Sequence, residues 1–236
     1  MEYKEFKELF HEELKKNNIK TSGDSKKFYE YMKLLLEWNK KINLTAITDE
    51  KEFIIKHFVD SLTISKYIED NMRIIDIGTG AGFPGVPLKL FHEELSITLV
   101  DSVSKKVNVL KDIINKLELY KIEAVHTRAE DFAKENREKY DMAVSRAVAN
   151  MNTLVEYLIP FVKIGGQIIC MKGPNFEEEL EVSKKAIILL GGKIERIEKI
   201  VIDGELERNI IIIRKVKETP KQYPRGQGKP LKNPIR

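Results

Sequence analysis

The chain has a single cysteine, Cys170, in 236 residues. That excludes an internal disulfide and any cysteine-cluster metal site. Histidine is nearly as scarce, at four residues. No histidine pairs with an obvious acid at catalytic spacing, and His11 and His92 read as surface positions. No apolar run approaches the roughly 20 residues needed to cross a bilayer. Met1 to Lys16 is charged throughout, unlike the apolar stretch of a secretory leader. These absences set the expectation of a cytoplasmic protein. What is present suits a folded chain: hydrophobic residues make up 42% and charged residues 33%, enough for a real core. The length fits one large domain with an extension, or two small ones.

Charge is unevenly spread. From Arg214 to Arg236 eight basic residues stand against Glu218 alone, a net of +7. Residues 1–213 carry 33 basic and 36 acidic groups, a net of −3. A near-neutral body therefore ends in a concentrated cation. Such a tail either meets phosphate backbones or simply solubilises the chain.

The first 70 residues read as helical. Tyr3, Phe6, Leu9, Phe10 and Leu14 fall at helical spacing, and Asp24 is placed to cap a second helix carrying Phe28, Tyr31, Met32, Leu35 and Leu36 on one face. Phe53–Phe58 suggests a third helix and Ser61–Tyr67 a fourth. From Arg73 the rhythm changes. Strands are expected at 74–77, 96–101, 122–126, 140–145 and 166–171. They alternate with helices at 105–119, 151–161 and 177–190. Two last strands, 193–203 and 208–216, should form an antiparallel pair. Alternating strands and helices imply an α/β fold with a mostly parallel sheet covered on both faces. Residues 218–236, rich in Pro, Gly and cations, have no periodicity and should lack regular structure when free.

The strongest local signal runs from Asp76 to Gly85, DIGTGAGFPG, where a first strand gives way to a helix. Glycines allow a tight turn and a close ligand, and the loop amides and helix N-terminus can face that ligand. Two cofactors compete. Gly80–Gly85 formally fits the dinucleotide fingerprint GxGxxG, and Asp101 lies where a ribose-binding acid is expected. Asp76, however, precedes the first glycine, Gly78, by two residues. The resulting DxGxGxG resembles the first motif of class I methyltransferases, whose acid orients the methionine end of S-adenosylmethionine. Asp101 serves either cofactor. The final antiparallel pair resembles the seven-stranded methyltransferase sheet, and the balance favours the methyl donor. The alternative in which the glycines only make a turn stays open. After the third strand, a backbone amide at Ala129 and the acid Glu130 are placed for an adenine edge. Glu130 and Asp131 could equally cap the next helix.

The fourth strand ends in Asp141–Ala147, DMAVSRA, without the Asp/Asn-Pro-Pro-aromatic motif of exocyclic-amine methylation. Pyrimidine C5 methylation needs a cysteine nucleophile. Cys170, inside Ile-Ile-Cys-Met, reads instead as a small core residue. Guanine N7 requires neither: it is already a free lone pair, so holding it in line with an electrophilic methyl supplies most of the rate. Arg146, at the ligand-binding end of the fourth strand, could hold the base or its phosphate, or could make a structural ion pair.

The chain resembles the bacterial small-subunit ribosomal RNA guanine-N7 methyltransferase family (RsmG, formerly GidB). The likeness runs through Leu35–Ile47 (LLEWNKKINLTAI), His57–Leu62 (HFVDSL), Asp76–Leu88, Leu99–Leu110, Thr127–Asp131 (TRAED), Ser145–Ala149 (SRAVA), Met171–Gly173, Glu207–Lys215 and Thr219–Pro234. The resemblance implies a class I, Rossmann-like methyltransferase fold with a helical extension at 1–70, a catalytic domain at 71–217 and a basic tail at 218–236. It implies S-adenosyl-L-methionine as cofactor and N7 of one guanine, in a conserved 16S ribosomal RNA loop near the decoding site, as target. The substrate would be 16S RNA or the small subunit, with no metal and no membrane, and a monomer suffices. Gly78, Phe83, Ala129, Glu130 and Arg146 match cofactor-contact positions; Asp76, Gly80 and Asp101 fit the general pattern. Lys172, Arg208, Lys221 and Arg225 are expected RNA contacts, and Tyr223 could stack on a base. His57 and Asp60 could line the substrate face or hold the helices on the sheet, the latter being favoured. A nicotinamide oxidoreductase and a non-catalytic RNA-binding protein remain as alternatives.

Overall fold

A computed structural model describes residues 1–20, 23–146 and 149–235. Ala147 and Val148 of the Ser145–Ala149 motif, and Arg236 of the basic tail, lie outside the described residues. The chain begins with α1 (Tyr3–Lys16) and α2 (Ser25–Asn39), the latter started by Asp24, whose carboxylate accepts from the Lys26 amide. Next come α3 (Glu50–Phe53), a π-helical stretch (Ile54–Val59) and α4 (Asp60–Leu62). The expected fourth helix is thus α4 followed by a separate 3-10 turn, Ser65–Tyr67. The π-helical stretch shifts the facing of His57 relative to a regular helix, and such insertions recur at functional sites.

β1 (Arg73–Ile77), β2 (Ser96–Asp101), β3 (Ile122–His126), β4 (Tyr140–Arg146), β5 (Val162–Lys172), β6 (Gly192–Ile202) and β7 (Leu206–Lys215) form one sheet. Its order is β3-β2-β1-β4-β5-β7-β6. β1 to β5 are parallel, and β7 runs antiparallel to both β5 and β6. The antiparallel strand therefore sits inside the sheet, with β6 outside it. Strand order reverses between β1 and β4, the switch point beyond which ligands bind in open α/β sheets. β5 starts four residues earlier than expected, at Val162, and the exposed Lys163–Gly165 separate that buried residue from the apolar run.

Each strand face buries one cluster. On one side Ile74, Leu99, Val144, Ile169 and Ile212 pack under α1, α2, α5 (Gly85–Phe91) and α6 (Ser104–Lys116). On the other, Ile75, Ala143, Ile168, Cys170 and Ile211 pack under α7 (Ala129–Asn136), α8 (Met151–Leu158) and α9 (Glu177–Leu189). Burial on both faces explains the unbroken run Ile210–Ile213. The helix expected over 151–161 ends at Leu158, and Ile159–Phe161 forms a 3-10 turn around Pro160. Phe6, Phe10, Phe28, Phe58, Phe53 and Tyr31 form a chain of ring contacts reaching Phe83 in the glycine loop. The N-terminal helices are thereby coupled to the loop through packing.

The tail does not hang free. The Arg137 guanidinium donates to the carbonyls of Thr219 and Tyr223. Arg225 makes three bonds to the buried carboxylate of Glu156, and the short α10 (Lys229–Lys232) rests on α8, with the Pro230 carbonyl accepting from Thr153 Oγ1. The segment has no periodicity of its own. Its partners are supplied by distant residues that no local pattern reveals.

Candidate active site

Asp76, fully buried near the end of β1, accepts through Oδ2 from Thr79 Oγ1 at 2.8 Å and from the Gly85 amide at 2.9 Å. Its Oδ1 is buried without a partner. Burial pushes this carboxyl up to about 7, outweighing the two hydrogen bonds that favour its charge. Gly80 has φ +61°, and a Cβ there would meet only the Gly78 carbonyl at 3.9 Å. Gly85 differs: a Cβ would lie 2.3 Å from Leu99 Cδ2. Glycine at 80 thus serves conformation and open approach, and at 85 close packing. At the end of β2, Asp101 accepts from the Gly80 amide at 2.9 Å and the Val103 amide at 2.8 Å.

The loop amides do not face outward as the sequence suggests. Gly78 and Thr79 donate to the Val100 carbonyl, Gly82 and Phe83 to the Thr79 carbonyl, and Gly80 and Gly85 to the two carboxylates. The N-terminus of α5 is thus satisfied by Asp76. A pyrophosphate needs such donors turned towards it. Here they are engaged within the protein and two acids border the loop, which suits the cationic end of a ligand.

Beyond β1, β2 and β3 opens a cleft of about 650 Å³ lined by Gly78, Asp101, Ala129, Glu130 and Arg146 among others. Ala129 opens α7. The N-cap is Arg128, so Glu130 and Asp131 lie in the first turn, where their charge favours the helix dipole, rather than at the cap. Glu130 Oε1 accepts from the Gly228 amide at 3.0 Å, which brings the tail to the cleft wall.

The other half of the site surrounds Arg146. Its guanidinium donates to Asp60 Oδ2 at 3.0 Å, to the Lys56 carbonyl at 3.2 Å and to His57 Nδ1 at 3.1 Å. A guanidinium only donates, so Nδ1 must accept. Nε2 then carries the proton and faces Thr45 Oγ1 at 2.8 Å. Burial and the flanking Arg146 and Arg208 pull His57 down to about 3, and its ring is neutral. The ring stacks on Phe83 with centroids 4.3 Å apart, and the Arg146 guanidinium lies 4.9 Å from the Phe83 centroid. Asp60, fully buried, takes Arg208 Nε on its other oxygen at 3.0 Å. One carboxylate therefore bridges two guanidiniums. Neither His57 nor Asp60 has a ring nitrogen or oxygen left without a partner, which makes both fixed supports of Arg146.

Residues 24–211 match the model of the GidB family, rRNA small subunit methyltransferase G. The chain belongs to this family. It is 51% identical to ribosomal RNA small subunit methyltransferase G of Clostridium botulinum (strain Loch Maree / Type A3), over 93% of this chain and 95% of that one. The Alkaliphilus oremlandii protein of the same name is 47% identical, over 98% of this chain and all of its own. Among solved structures, a precorrin-6y C5,15-methyltransferase from Geobacter metallireducens superposes with a TM-score of 0.53 at 15% identity, over 74% of this chain and 91% of that one. The fold is that of class I methyltransferases, with the helical N-terminal segment added.

Within this family member, three of the four cations expected to meet RNA are engaged by other residues. Lys172 donates to the Ala149 carbonyl and pairs with Glu179 at 2.7 Å. Arg208 is held by Asp60, and Arg225 by Glu156. Lys221 is exposed. Tyr223 packs on the cluster beneath α7 to α9. Cys170 is a core residue of that same cluster, its thiol pushed up to about 12 by burial. His11, on α1, and His92, just past the end of α5, are half-buried rather than surface residues. Sequence reasoning missed Thr45, whose hydroxyl meets His57 Nε2, and Asn39, whose side chain holds the Thr45 loop through the Leu44 and Thr45 amides. Both lie inside Leu35–Ile47, where polar residues interrupting a helical stripe were the available signal. It also missed Glu156 and the tail residues of the cleft.

Proposed function

We propose that the chain transfers the methyl group of S-adenosyl-L-methionine to N7 of one guanine in a conserved loop of 16S ribosomal RNA near the decoding site. The carrying observation is the pairing of an acid-bordered glycine loop with an arginine whose supports, His57 and Asp60, are fully engaged. The buried, unpartnered Asp76 Oδ1 and the open approach above Gly80 fit this cofactor. Asp76, Gly78, Gly80 and Asp101 would hold its methionine and ribose end, and Ala129 and Glu130 its adenine edge. Phe83 supports the site from below. The cofactor supplies an electrophilic methyl on a cationic sulfur.

Arg146 does the work on the substrate side. Gripped by Asp60, His57 and the Lys56 carbonyl, it presents one fixed positive edge to the base or its phosphate. N7 already holds its lone pair, so no group has to remove a proton. A loop nucleotide must be splayed out to reach this edge. Arg208 and Lys221 serve as RNA contacts. Lys172 and Arg225 contribute through the elements they fasten. The substrate is 16S RNA or the small subunit, met by a cytoplasmic monomer. The division into a helical extension at 1–70, a catalytic domain at 71–217 and a tail at 218–236 accompanies this reading.

The test is transfer of labelled methyl from S-adenosylmethionine to small subunits lacking the modification, with the labelled base mapped. Label on one loop guanine, cleavable by chemistry specific for 7-methylguanosine, is expected. Label on a pyrimidine or an exocyclic amine, or none at all, overturns the reading.

A further inference from the structure

The cleft beyond β1 to β3 has a wall that does not come from the sheet. Gln227, Gly228, Leu231 and Lys232 of the tail line it, together with Tyr157 of α8. Two of the lining residues are large apolar side chains left open to water: Val103, 43% exposed, and Leu231, 67% exposed. A lone exposed leucine means little. Here, though, Leu231 belongs to a segment that is fastened to α7 and to α8. The Gly228 amide donates to Glu130, Pro230 is buried with its carbonyl bonded to Thr153, and Arg225 is locked on Glu156, which is itself fully buried. Gly228 adopts φ +68°, a conformation that suits glycine and turns the chain into α10 directly over the cleft.

Resting on the S-adenosylmethionine reading, we propose that Leu231 covers one face of the adenine ring, so that the C-terminal segment is part of the cofactor site. An adenine needs apolar cover on its faces and polar partners at its edge. The cleft offers Leu231 and Val103 as apolar lining, and Glu130 and the first amide of α7, at Ala129, which has no acceptor within the helix. Glu130 links the two, since the same carboxylate that lies at the edge position receives the Gly228 amide. The binding of the cofactor and the docking of the tail are then one event: adenine completes the cover of Leu231, and the fastened tail keeps Leu231 in place.

The experiment uses the full chain and S-adenosylhomocysteine as probe, with affinity read by calorimetry. Leu231→Ala is expected to weaken binding about fivefold to tenfold, as the loss of an apolar cover does. Leu231→Phe should hold affinity or improve it, and Leu189→Ala, an exposed leucine on α9, should leave it unchanged. Independently, saturating S-adenosylhomocysteine should slow tryptic cleavage after Arg225 and Lys232 in the wild-type chain, and adenosine alone should slow it too. Unaltered affinity in Leu231→Ala, or cleavage indifferent to adenosine, overturns the proposal while leaving the cofactor reading intact. Failure of the wild-type chain to bind S-adenosylhomocysteine at all overturns the cofactor reading, and the proposal with it.

Discussion

The two halves of the site are built in different ways. Around the glycine loop, Asp76, Gly80 and Gly85 lie within ten residues of one another, and Asp101 follows on the adjacent strand. Around Arg146, the partners come from 86 to 90 residues away, and Arg208 reaches Asp60 across 148 residues. The first half is set by local turn chemistry. The second exists only once the N-terminal helices have docked on the sheet. A polar cleft open to a small ligand is thus placed beside a positively charged edge held rigid from behind.

The comparison breaks most sharply at Arg146. Arg146→Lys keeps the charge but cannot reach Asp60, His57 and the Lys56 carbonyl together. Methyl transfer should fall by about two orders of magnitude or more, with cofactor affinity falling far less. Equal losses in both would place Arg146 on the cofactor half alone. Next comes Asp60→Ala, which leaves two partly buried guanidiniums without their carboxylate. Stability should drop by about 3 kcal/mol, read as a lower denaturation midpoint, whereas breaking the exposed Lys134–Asp131 pair should leave the midpoint nearly unchanged.

A smaller effect concerns pH. The Asp76 carboxyl is raised in the folded chain to about 7. Its protonated form therefore adds stability at acidic pH that is lost as pH rises towards about 7. A cationic ligand end would draw the proton off. Cofactor binding near pH 6.5 should release protons, seen as a calorimetric heat that varies with the ionisation enthalpy of the buffer, and Asp76→Asn should abolish that variation. His57 works in the opposite sense: its pKa is lowered to about 3, so stability is lost as pH falls below the ordinary histidine value of about 6.5. Smallest of all, Cys170→Ala should leave methyl transfer unchanged and reduce stability by about 1–2 kcal/mol through a small cavity. Loss of transfer with the fold intact would point to a covalent cysteine mechanism.

How much was legible in the sequence follows the same division. The strand–loop–helix pattern placed β1, the glycine turn and both acids, because each depends on residues close in the chain. It could not show that the loop amides turn inward, since their acceptors, the Val100 carbonyl and Asp101, lie on the next strand. His57 and Asp60 were visible as a motif, but their joint hold on Arg146 depends on the π-helical stretch and on docking. The docking of the tail was out of sight for the same reason. Its Arg225 is held by Glu156 and its Thr219 and Tyr223 carbonyls by Arg137, neither of which a local window can pair with it. Only composition was available there, and composition spoke for solvent and RNA alone.

The central claim is that methyl transfer here proceeds by positioning, with the ionisable supports of Arg146 fully engaged. The most direct measurement is the single-turnover rate at saturating cofactor and RNA from about pH 6 to about pH 8.5. The account predicts a flat profile, because His57 is held neutral across that range, N7 needs no proton removed, and saturating cofactor has already drawn the proton off Asp76. A rate rising tenfold per pH unit over part of the range, and losing that rise in a variant of one site residue, would reveal a general base and contradict it.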